Sequence, residues 1–428
     1  MKKKVEILCL KLATNFNNKG LKMKIGKTEL ENILYGACFL ASGGGGPLDL
    51  GQSCIDANFA DDDFVEVVSC DTIDNKDWIV PSAGMGLPSA SFNPNELNRS
   101  VFNVIEIMEH WCRTNKSDFS DFKYILPMEV GTVNSILPII ACKLAKDLGR
   151  ELKVIDADPS GRATPVLPLT LLAGNNVPFY PNFIASGNTK PYFSSYNLES
   201  LDHVQECFGQ MFTSSAFKNS GGFSLYPTSK KNLKDEYIVQ NTMTDALNLG
   251  KIIKTSDTIT QRIEQVINYM NNTSKEKRYT KKIFYGTLAN IETTVVNGTD
   301  VGVLAIMSED NMLFKAYTEN ENIYANIITD TRKNEQKEEP FIMGPDSICY
   351  LPEIIYHTEN SSNQDIVVID VTELSILFKD KNVKTINLYV IAIDAPKDVQ
   401  NCKGLIENWE TLNKSLGGED KYTQPWKK

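Results

Sequence analysis

FKYILPMEVGTVNSILPIIACKLAKDLGRELKVIDADPSGRATP, residues 122–165, carries two short apolar runs on either side of a helical pattern. FKYILPMEVG (122–131) reads as a strand entering a glycine loop, and SILPIIACKLAKDLG as the helix after it, closed by Gly149. ELKVIDADPSGRATP (151–165) reads as a second strand that runs into an Asp/Gly/Pro loop. A strand, a helix and a strand in succession predict parallel pairing. Working outward, FVEVVSCDTI (64–73) and DWIVPSAGMG (77–86) read as further strands, and PNELNRSVFNVIEIMEHWCRT as an amphipathic helix. Residues 23–187 therefore predict an α/β domain with a mostly parallel sheet. The pattern changes after about residue 187, at the polar joint IASGNTKPYFSSYN. Helical segments IVQNTMTDALNLGKII and ITQRIEQVINYM follow. From Lys282 onward, KIFYGTLANIETTVVNGTDVGVLAIM alternates around Asn-Gly and Gly-Thr turns, and NIYANIITDT, QDIVVIDV and TINLYVIAI continue as strands. Residues 188–428 thus predict a second domain, helical at first and then β-rich.

The chain has 428 residues, enough for two or three domains with real cores. Apolar residues make up 42% and charged residues 23%, the proportions of a soluble globular protein. A net charge of −10 argues against a nucleic-acid binder. No apolar run reaches the roughly 20 residues of a membrane span, so no membrane partner is expected. The nine cysteines form no CxxC, and an odd count in a long chain fits reduced cytoplasmic thiols. Three scattered histidines (His110, His203, His357) exclude a His-rich zinc site. MKKKVEILCLKLATNFNNKG lacks a clean apolar core and a small-residue cleavage site, so residues 1–22 read as a disordered extension rather than a secretory signal.

GLKMKIGKT, residues 20–28, imitates a phosphate-binding loop, but five residues rather than four separate its glycines and no apolar strand precedes it. Thr28 and Glu31 instead predict a capping box for a helix carrying Leu30, Ile33, Leu34, Ala37 and Ala41. That helix ends in LASGGGGPLDL (40–50), with Gly43, Gly44, Gly45 and Gly46 in a row before Pro47. A helix–helix turn needs one or two glycines. Four suggest a pocket lined by backbone, where N–H groups approach a ligand closely. SAGMGLP, MEVGTVN and DADPSGRATP also combine glycine with polar side chains, and each follows a strand, where open α/β sheets bind ligands. Gly84, Met85 and Gly86 belong to the first; neither glycine run completes a dinucleotide fingerprint. Glu129 is then a general-base candidate or a solvated rim residue, and Asn134 a substrate contact or a helix cap. Asp156 and Asp158, two apart, face one side of an extended segment. They could act as general acid or base, or hold a divalent cation through oxygen ligands; otherwise they form an Asx turn. Arg162, beside Gly161, could clamp a substrate carboxylate or pair with an aspartate. Cys38 is a lesser nucleophile candidate, lying on the helix where a core thiol is the plainer reading.

These loops, in this order, resemble the S-methyl thiohydantoin desulfurase family, whose members often accompany hydantoinase and oxoprolinase genes. The resemblance rests on GACFLASGGGGP, GMGLPS, MEVGTVNS, VIDADPSGRATPVLP, NGTDVGVLAI, GPDSICYL and LGGEDKYTQP, and spans roughly residues 24–426. It implies a barrel-like C-terminal domain and hydrolysis of a five-membered hydantoin-type ring with release of methanethiol from S-methylated C2. Glu129, Asn134, Asp156, Asp158, Gly161 and Arg162 fall on the family's polar loops. Three positions depart from the family pattern: Gly131-Thr132 where a Gly-Gly pair is usual, Pro159-Ser160 before Gly161-Arg162, and an acidic residue displaced to Asp49. The expected molecule is a cytoplasmic homo-oligomer acting on a small carboxylate-bearing ring, with a divalent metal as the one cofactor suggested. The alternatives are a non-catalytic small-molecule binding protein and a subunit of a hydantoinase-like assembly.

Overall fold

The computed structural model describes residues 22–86, 93–188, 192–195, 198–296, 299–329, 337–357 and 366–428. The extension up to residue 21, the end of GMGLPS and the Asn297-Gly298 turn lie outside them. The chain opens with β1 (Lys22–Ile25), α1 (Lys27–Leu40) and α2 (Leu48–Asn58). Next come β2 (Val65–Val68), β3 (Trp78–Gly86), α3 (Pro94–Asn115), β4 (Phe122–Pro127), α4 (Leu137–Asp147), β5 (Lys153–Ile155) and β6 (Ala157–Asp158). The quoted segment does form a strand, a helix and a strand. β4 and β5 are parallel neighbours, and β2 and β3 extend the parallel set to the order β2-β5-β4-β3. The sheet is mixed and mostly parallel at its centre, with antiparallel strands at its margins: β1 beside β2, and β9 (Ser220–Ser224) beside β3, followed by β7 (Phe183–Ala185) and β8 (Tyr192–Phe193).

Helix α3 shows why the local sequence folds as it does. Asn93 Oδ1 accepts from the N–H groups of Asn95 and Glu96, and Pro94 opens the first turn. Leu97, Val101, Val104, Ile105, Met108 and Cys112 then recur at helical spacing and are buried against the sheet. Helix α1 begins differently from expectation. Gly26, not Thr28, is its N-cap, and Glu29, not Glu31, reaches back to accept from the Gly26 N–H at 3.2 Å. The strand before it, β1, is also unexpected; Lys22 and Lys24 interrupt its apolar pattern because it is a sheet edge with one solvated face. In FVEVVSCDTI the strand stops at Val68, since Ser69 caps a 3₁₀ turn over Cys70–Thr72.

The chain continues through α5 (Leu201–Phe212), a short β10 (Thr228–Ser229) on β3, and β11 (Val239–Gln240), which pairs with β6. Ile238 to Gln240 are therefore not helical, and α6 starts at Thr242 and runs to Thr255, followed by α7 (Ile259–Asn268). Helix α6 lies directly on α1. A Cβ on Gly36 would overlap the Ala246 carbonyl, and one on Gly250 would overlap the Asn32 carbonyl. Two small residues thus set the closeness of that crossing.

The remaining strands are β12 (Thr280–Val296), β13 (Thr299–Met307), β14 (Leu313–Glu319), β15 (Glu321–Thr329), β16 (Lys337–Met343), β17 (Ser347–Tyr356) and β18 (Val383–Ile393). They form a seven-stranded antiparallel sheet in the order β16-β15-β14-β13-β12-β18-β17. The sheet curls so that the start of β15 meets β17: Asn322 Nδ2 donates to the Ile348 carbonyl at 2.9 Å, and the Tyr350 hydroxyl donates to Asn322 Oδ1 at 2.8 Å. Side chains, rather than a strand ladder, bridge this approach among the described residues. The strand expected in QDIVVIDV is absent over residues 366–370; Val368 and Ile369 are buried, and Asp370 caps helix α8 (Val371–Lys379). Helix α9 (Lys403–Ser415) and a 3₁₀ turn over Pro425–Lys427 follow.

Candidate active site

Each of the four consecutive glycines has its own reason to lack a side chain. Gly43, Gly45 and Gly46 take φ values of +87°, +79° and +94°, which side-chain-bearing residues rarely adopt. Gly44 has ordinary backbone, but its Cβ would overlap the Glu321 carboxylate. A Cβ on Gly45 would lie 2.5 Å from the Thr132 nitrogen, and one on Gly46 would lie 2.8 Å from Val133 Cγ2. The run is therefore neither spare flexibility nor a simple turn. It is a strip of backbone squeezed between the loop after β4 and the start of β15. Val133 N donates to the Gly45 carbonyl at 2.9 Å, Thr132 Oγ1 to the Gly44 carbonyl at 3.0 Å, and Asn322 N to the Ser42 carbonyl at 2.8 Å. Thr132 thus uses its hydroxyl to fasten the strip.

Beside this strip lies a cavity of about 720 Å³. Gly45, Gly46, Gly84, Met85, Gly86, Glu129 and Asn134 all line it. The position is the one expected of an open α/β sheet, beyond the carboxyl ends of β3 and β4. Gly43 and Gly44 sit behind the wall. Glu129 is buried, not a solvated rim residue. Its Oε1 accepts from Asn134 Nδ2 at 2.8 Å, and its Oε2 from the Thr164 N–H at 2.7 Å and the Thr164 hydroxyl at 3.3 Å. Asn134 is not the helix cap, a place held by Ile136. It bridges two loops instead, since its Oδ1 accepts from the Gly84 N–H at 2.8 Å. Burial pushes the Glu129 carboxyl up, and the hydrogen bonds from Asn134 and Thr164 pull it back.

The partner of Glu129 comes from the other sheet. Glu321, the first residue of β15, lines the same cavity and is 3% exposed. Its Oε1 accepts from the Gly45 N–H at 3.0 Å, while Oε2 is buried with no hydrogen-bond partner among the described residues. Burial pushes this carboxyl well above the usual range, and the Glu129 charge pushes it further. A carboxyl with one unsatisfied buried oxygen beside a fully hydrogen-bonded carboxylate is the member of the pair that keeps the proton. Glu319 and Asn320 of the same hairpin also line the cavity, with Asn320 at φ +54° making the tight turn. Thr164 and Pro165 to Leu167 form another side, and the Asp202, Gln205, Glu206, Gly209 and Gln210 face of α5 forms the outer wall.

Asp156, Asp158, Gly161 and Arg162 do not line the cavity either. Asp158 is an Asx turn: Oδ1 accepts from the N–H groups of Ser160 and Gly161, each at 2.7 Å. Asp156 points to the start of α6, where its oxygens accept from the Thr244 N–H at 3.0 Å and the Thr244 hydroxyl at 2.6 Å. Asp156 and the Oδ1 of Asp158 thus serve separate donors. Among the described residues, no three His, Cys, Asp or Glu side chains converge as a metal site. Gly161, at φ +71°, packs against Pro396. Arg162 is 1% exposed; its Nη1 donates to the Asp346 carbonyl at 2.7 Å, its Nη2 to the Asn322 carbonyl at 2.8 Å and its Nε to the Ala163 carbonyl at 3.0 Å. It holds the second domain's backbone and presents no fork to a substrate carboxylate. Cys38 is buried in the core, and burial pushes its thiol well above the ordinary range, so it is no ready nucleophile.

Glu321, Thr164 and the α5 face do not stand out in the sequence. Thr164 lay in a loop already marked by Gly161 and Arg162. Glu321 had no local signal, because its hydrogen-bond partner Gly45 is 276 positions away.

Residues 28–194 match the S-Me-THD-like N-terminal domain, and residues 206–405 match the S-Me-THD-like C-terminal domain. A crystal structure of a protein from Chromobacterium violaceum shares the fold, with a TM-score of 0.72 at 20% identity over 94% of this chain and 99% of that one. No curated protein matches the sequence. Among the described residues no helix is long and apolar enough to cross a membrane. Two matching domains that together span most of the chain place it in the S-Me-THD-like family, the S-methyl thiohydantoin desulfurase-like proteins.

Proposed function

We propose that the protein hydrolyses an S-methylated thiohydantoin, releasing methanethiol and leaving the hydantoin. The observation that carries this reading is the pairing of Glu129 with Glu321 across the glycine strip, in a cavity of about 720 Å³. C2 of such a ring is a thioimidate carbon. Glu129 takes a proton from water as its oxygen bonds to C2, and the C2–N π pair moves to the ring nitrogen. Glu321 protonates that nitrogen. The tetrahedral intermediate then collapses: its hydroxyl proton returns to Glu321, the C–S bond breaks, and the departing thiolate takes the proton held by Glu129. One water is consumed, both carboxyls are restored, and neither a redox step nor a covalent enzyme adduct is needed. Asn134 and Thr164 hold Glu129 in one orientation, which is the preorganisation such a base requires.

The test is methanethiol release from purified protein supplied with S-methyl thiohydantoins. Glu129→Gln keeps the shape and the Thr164 contacts but cannot accept a proton, so kcat should fall by about 10²–10⁴-fold with KM little changed. A wild-type protein that binds these rings yet releases no thiol is a binding protein, and the hydrolase reading falls.

A further inference from the structure

Arg162 is a buried cation whose hydrogen bonds all end on backbone carbonyls. Nε donates to Ala163, Nη1 to Asp346 and Nη2 to Asn322, and none of these acceptors is a carboxylate. The Trp409 ring of α9 covers it, with the guanidinium carbon 4.8 Å from the ring centroid. A buried charge is costly unless something nearby answers it. Two of the three carbonyls lead to the cavity glutamates. The Ala163 carbonyl and the Thr164 N–H belong to one peptide group. Arg162 Nε holds that peptide by its oxygen at 3.0 Å, and the peptide's N–H donates to Glu129 Oε2 at 2.7 Å. Hydrogen bonds in such a chain polarise one another, so the cation strengthens the donor that Glu129 receives. On the other side, Nη2 holds the carbonyl of Asn322, the residue after Glu321 on β15, at 2.8 Å. One planar group therefore fixes both the peptide that orients Glu129 and the strand start that carries Glu321. Burial pulls the guanidinium down to about 10, and Glu321 is the neighbour that most opposes the fall. In return, burial raises the Glu321 carboxyl, Glu129 raises it further and Arg162 lowers it. The other ionisable groups facing the two are Glu319 beside Glu321, and Cys349, Arg278 and Asp346 beside Arg162.

We propose that Arg162 is a positioning residue: its guanidinium fixes the spacing of Glu129 and Glu321 and supplies the positive charge that balances the ionised member of the pair. It does not line the cavity, so it acts through the glutamates and not on the ring. The proposal rests on the hydrolase reading for the reaction, and on the hydrogen-bonded chain alone for the pair.

Two variants separate geometry from charge. R162K keeps a cation but loses the planar fork; R162Q loses the cation. Each is assayed from pH 5 to pH 10 for thiol release from two S-methyl thiohydantoins, one with a carboxylate side chain at C5 and one with a neutral alkyl group there. R162K should lose about tenfold or more in kcat on both rings, with KM little changed and the pH profile in place. R162Q should move the alkaline limb, where Glu321 must still hold its proton, upward by about one pH unit, because the opposing cation is gone. The proposal is overturned if R162K keeps the wild-type kcat, or if R162Q leaves the limb in place or lowers it. It is also overturned if either variant raises KM for the carboxylate ring alone, which would make Arg162 a substrate contact. R162Q leaves buried carbonyls without donors; if it does not fold, R162K still overturns the proposal by keeping full kcat. Titration of Glu321 by carbon NMR of protein labelled at the glutamate carboxyls, with E321Q identifying the signal, needs no substrate. A midpoint that rises in R162Q while the wild type releases no thiol upholds the coupling of Arg162 to the pair and removes the enzyme. A midpoint that stays put while thiol is released removes the role of Arg162 and leaves the hydrolase reading standing.

Discussion

At the scale of single residues, the two cavity glutamates differ through their surroundings. Glu129 is given three donors and Glu321 one. That asymmetry has a thermodynamic consequence outside catalysis. A carboxyl whose folded pKa is raised binds more protons when folded than when unfolded, so its stabilising effect is complete below the unfolded pKa of about 4.3 and is lost as pH rises through the folded value. Glu321 is such a group, raised first by burial and then by Glu129. Glu321→Gln retains an oxygen for the Gly45 N–H and never ionises. Its melting temperature relative to wild type should therefore climb from pH 5 to pH 9, measured by thermal unfolding at fixed ionic strength. A difference that stays flat across that range would show that Glu321 titrates normally, and with it the assignment of the proton to Glu321 would fail.

At the scale of elements, sequence pattern and structure agree where burial is one-sided and local. The β4–α4–β5 unit and helix α3 are legible because their apolar spacing, caps and closing glycine all lie within one segment. Agreement fails where a partner is distant. Asp156 and Asp158 share a face in an ideal strand, yet one caps the next loop and the other meets α6, whose position no local rule supplies. The α1–α6 crossing is another long-range feature, and Gly36 within α1 reads from sequence alone as a weak point. Replacing it with alanine should raise helix propensity by about 1 kcal/mol. The new Cβ would also overlap the Ala246 carbonyl and approach the Gly250 nitrogen to 2.8 Å. Overpacking against backbone that cannot rotate away costs about 1–3 kcal/mol or more, so the packing loss should win. Gly36→Ala should lower the denaturant midpoint; an unchanged or higher midpoint would mean the two helices separate freely, and the close crossing would not be structurally required.

At the scale of the whole molecule, the cavity exists because two sheets meet on one strip of backbone. The loop after β4 grips Gly44 and Gly45 from one side, and the start of β15 grips Ser42 and Gly45 from the other. Half of the proposed acid–base pair therefore depends on how the second domain is seated. This is why the glycine run is legible as a cavity wall while Glu321 is not: glycine clustering is visible in one stretch, and the sheet that faces it is not. Asn322 is the residue that joins the two. It is fully buried, its Nδ2 donates to the Ser42 and Ile348 carbonyls at 2.8 and 2.9 Å, and its Oδ1 accepts from Tyr350. Asn322→Leu has similar volume but leaves the Tyr350 hydroxyl without its acceptor and the Ile348 carbonyl without its amide donor. At about 1–3 kcal/mol for each such group, the loss should be about 3 kcal/mol. The site of the damage is more telling than its size. Amide exchange should accelerate at Gly45 and at Val133, whose N–H groups close the strip against Glu321 and the β4 loop. The central β4–β5 ladder, which is fastened independently by its own parallel pairing, should keep its protection. Thiol release should fall together with protection of the strip, because Glu321 follows its neighbour. Uniform acceleration across the β4–β5 ladder as well would mean that the domains unfold as one unit, and that the seam at Asn322 holds no separate control over the cavity.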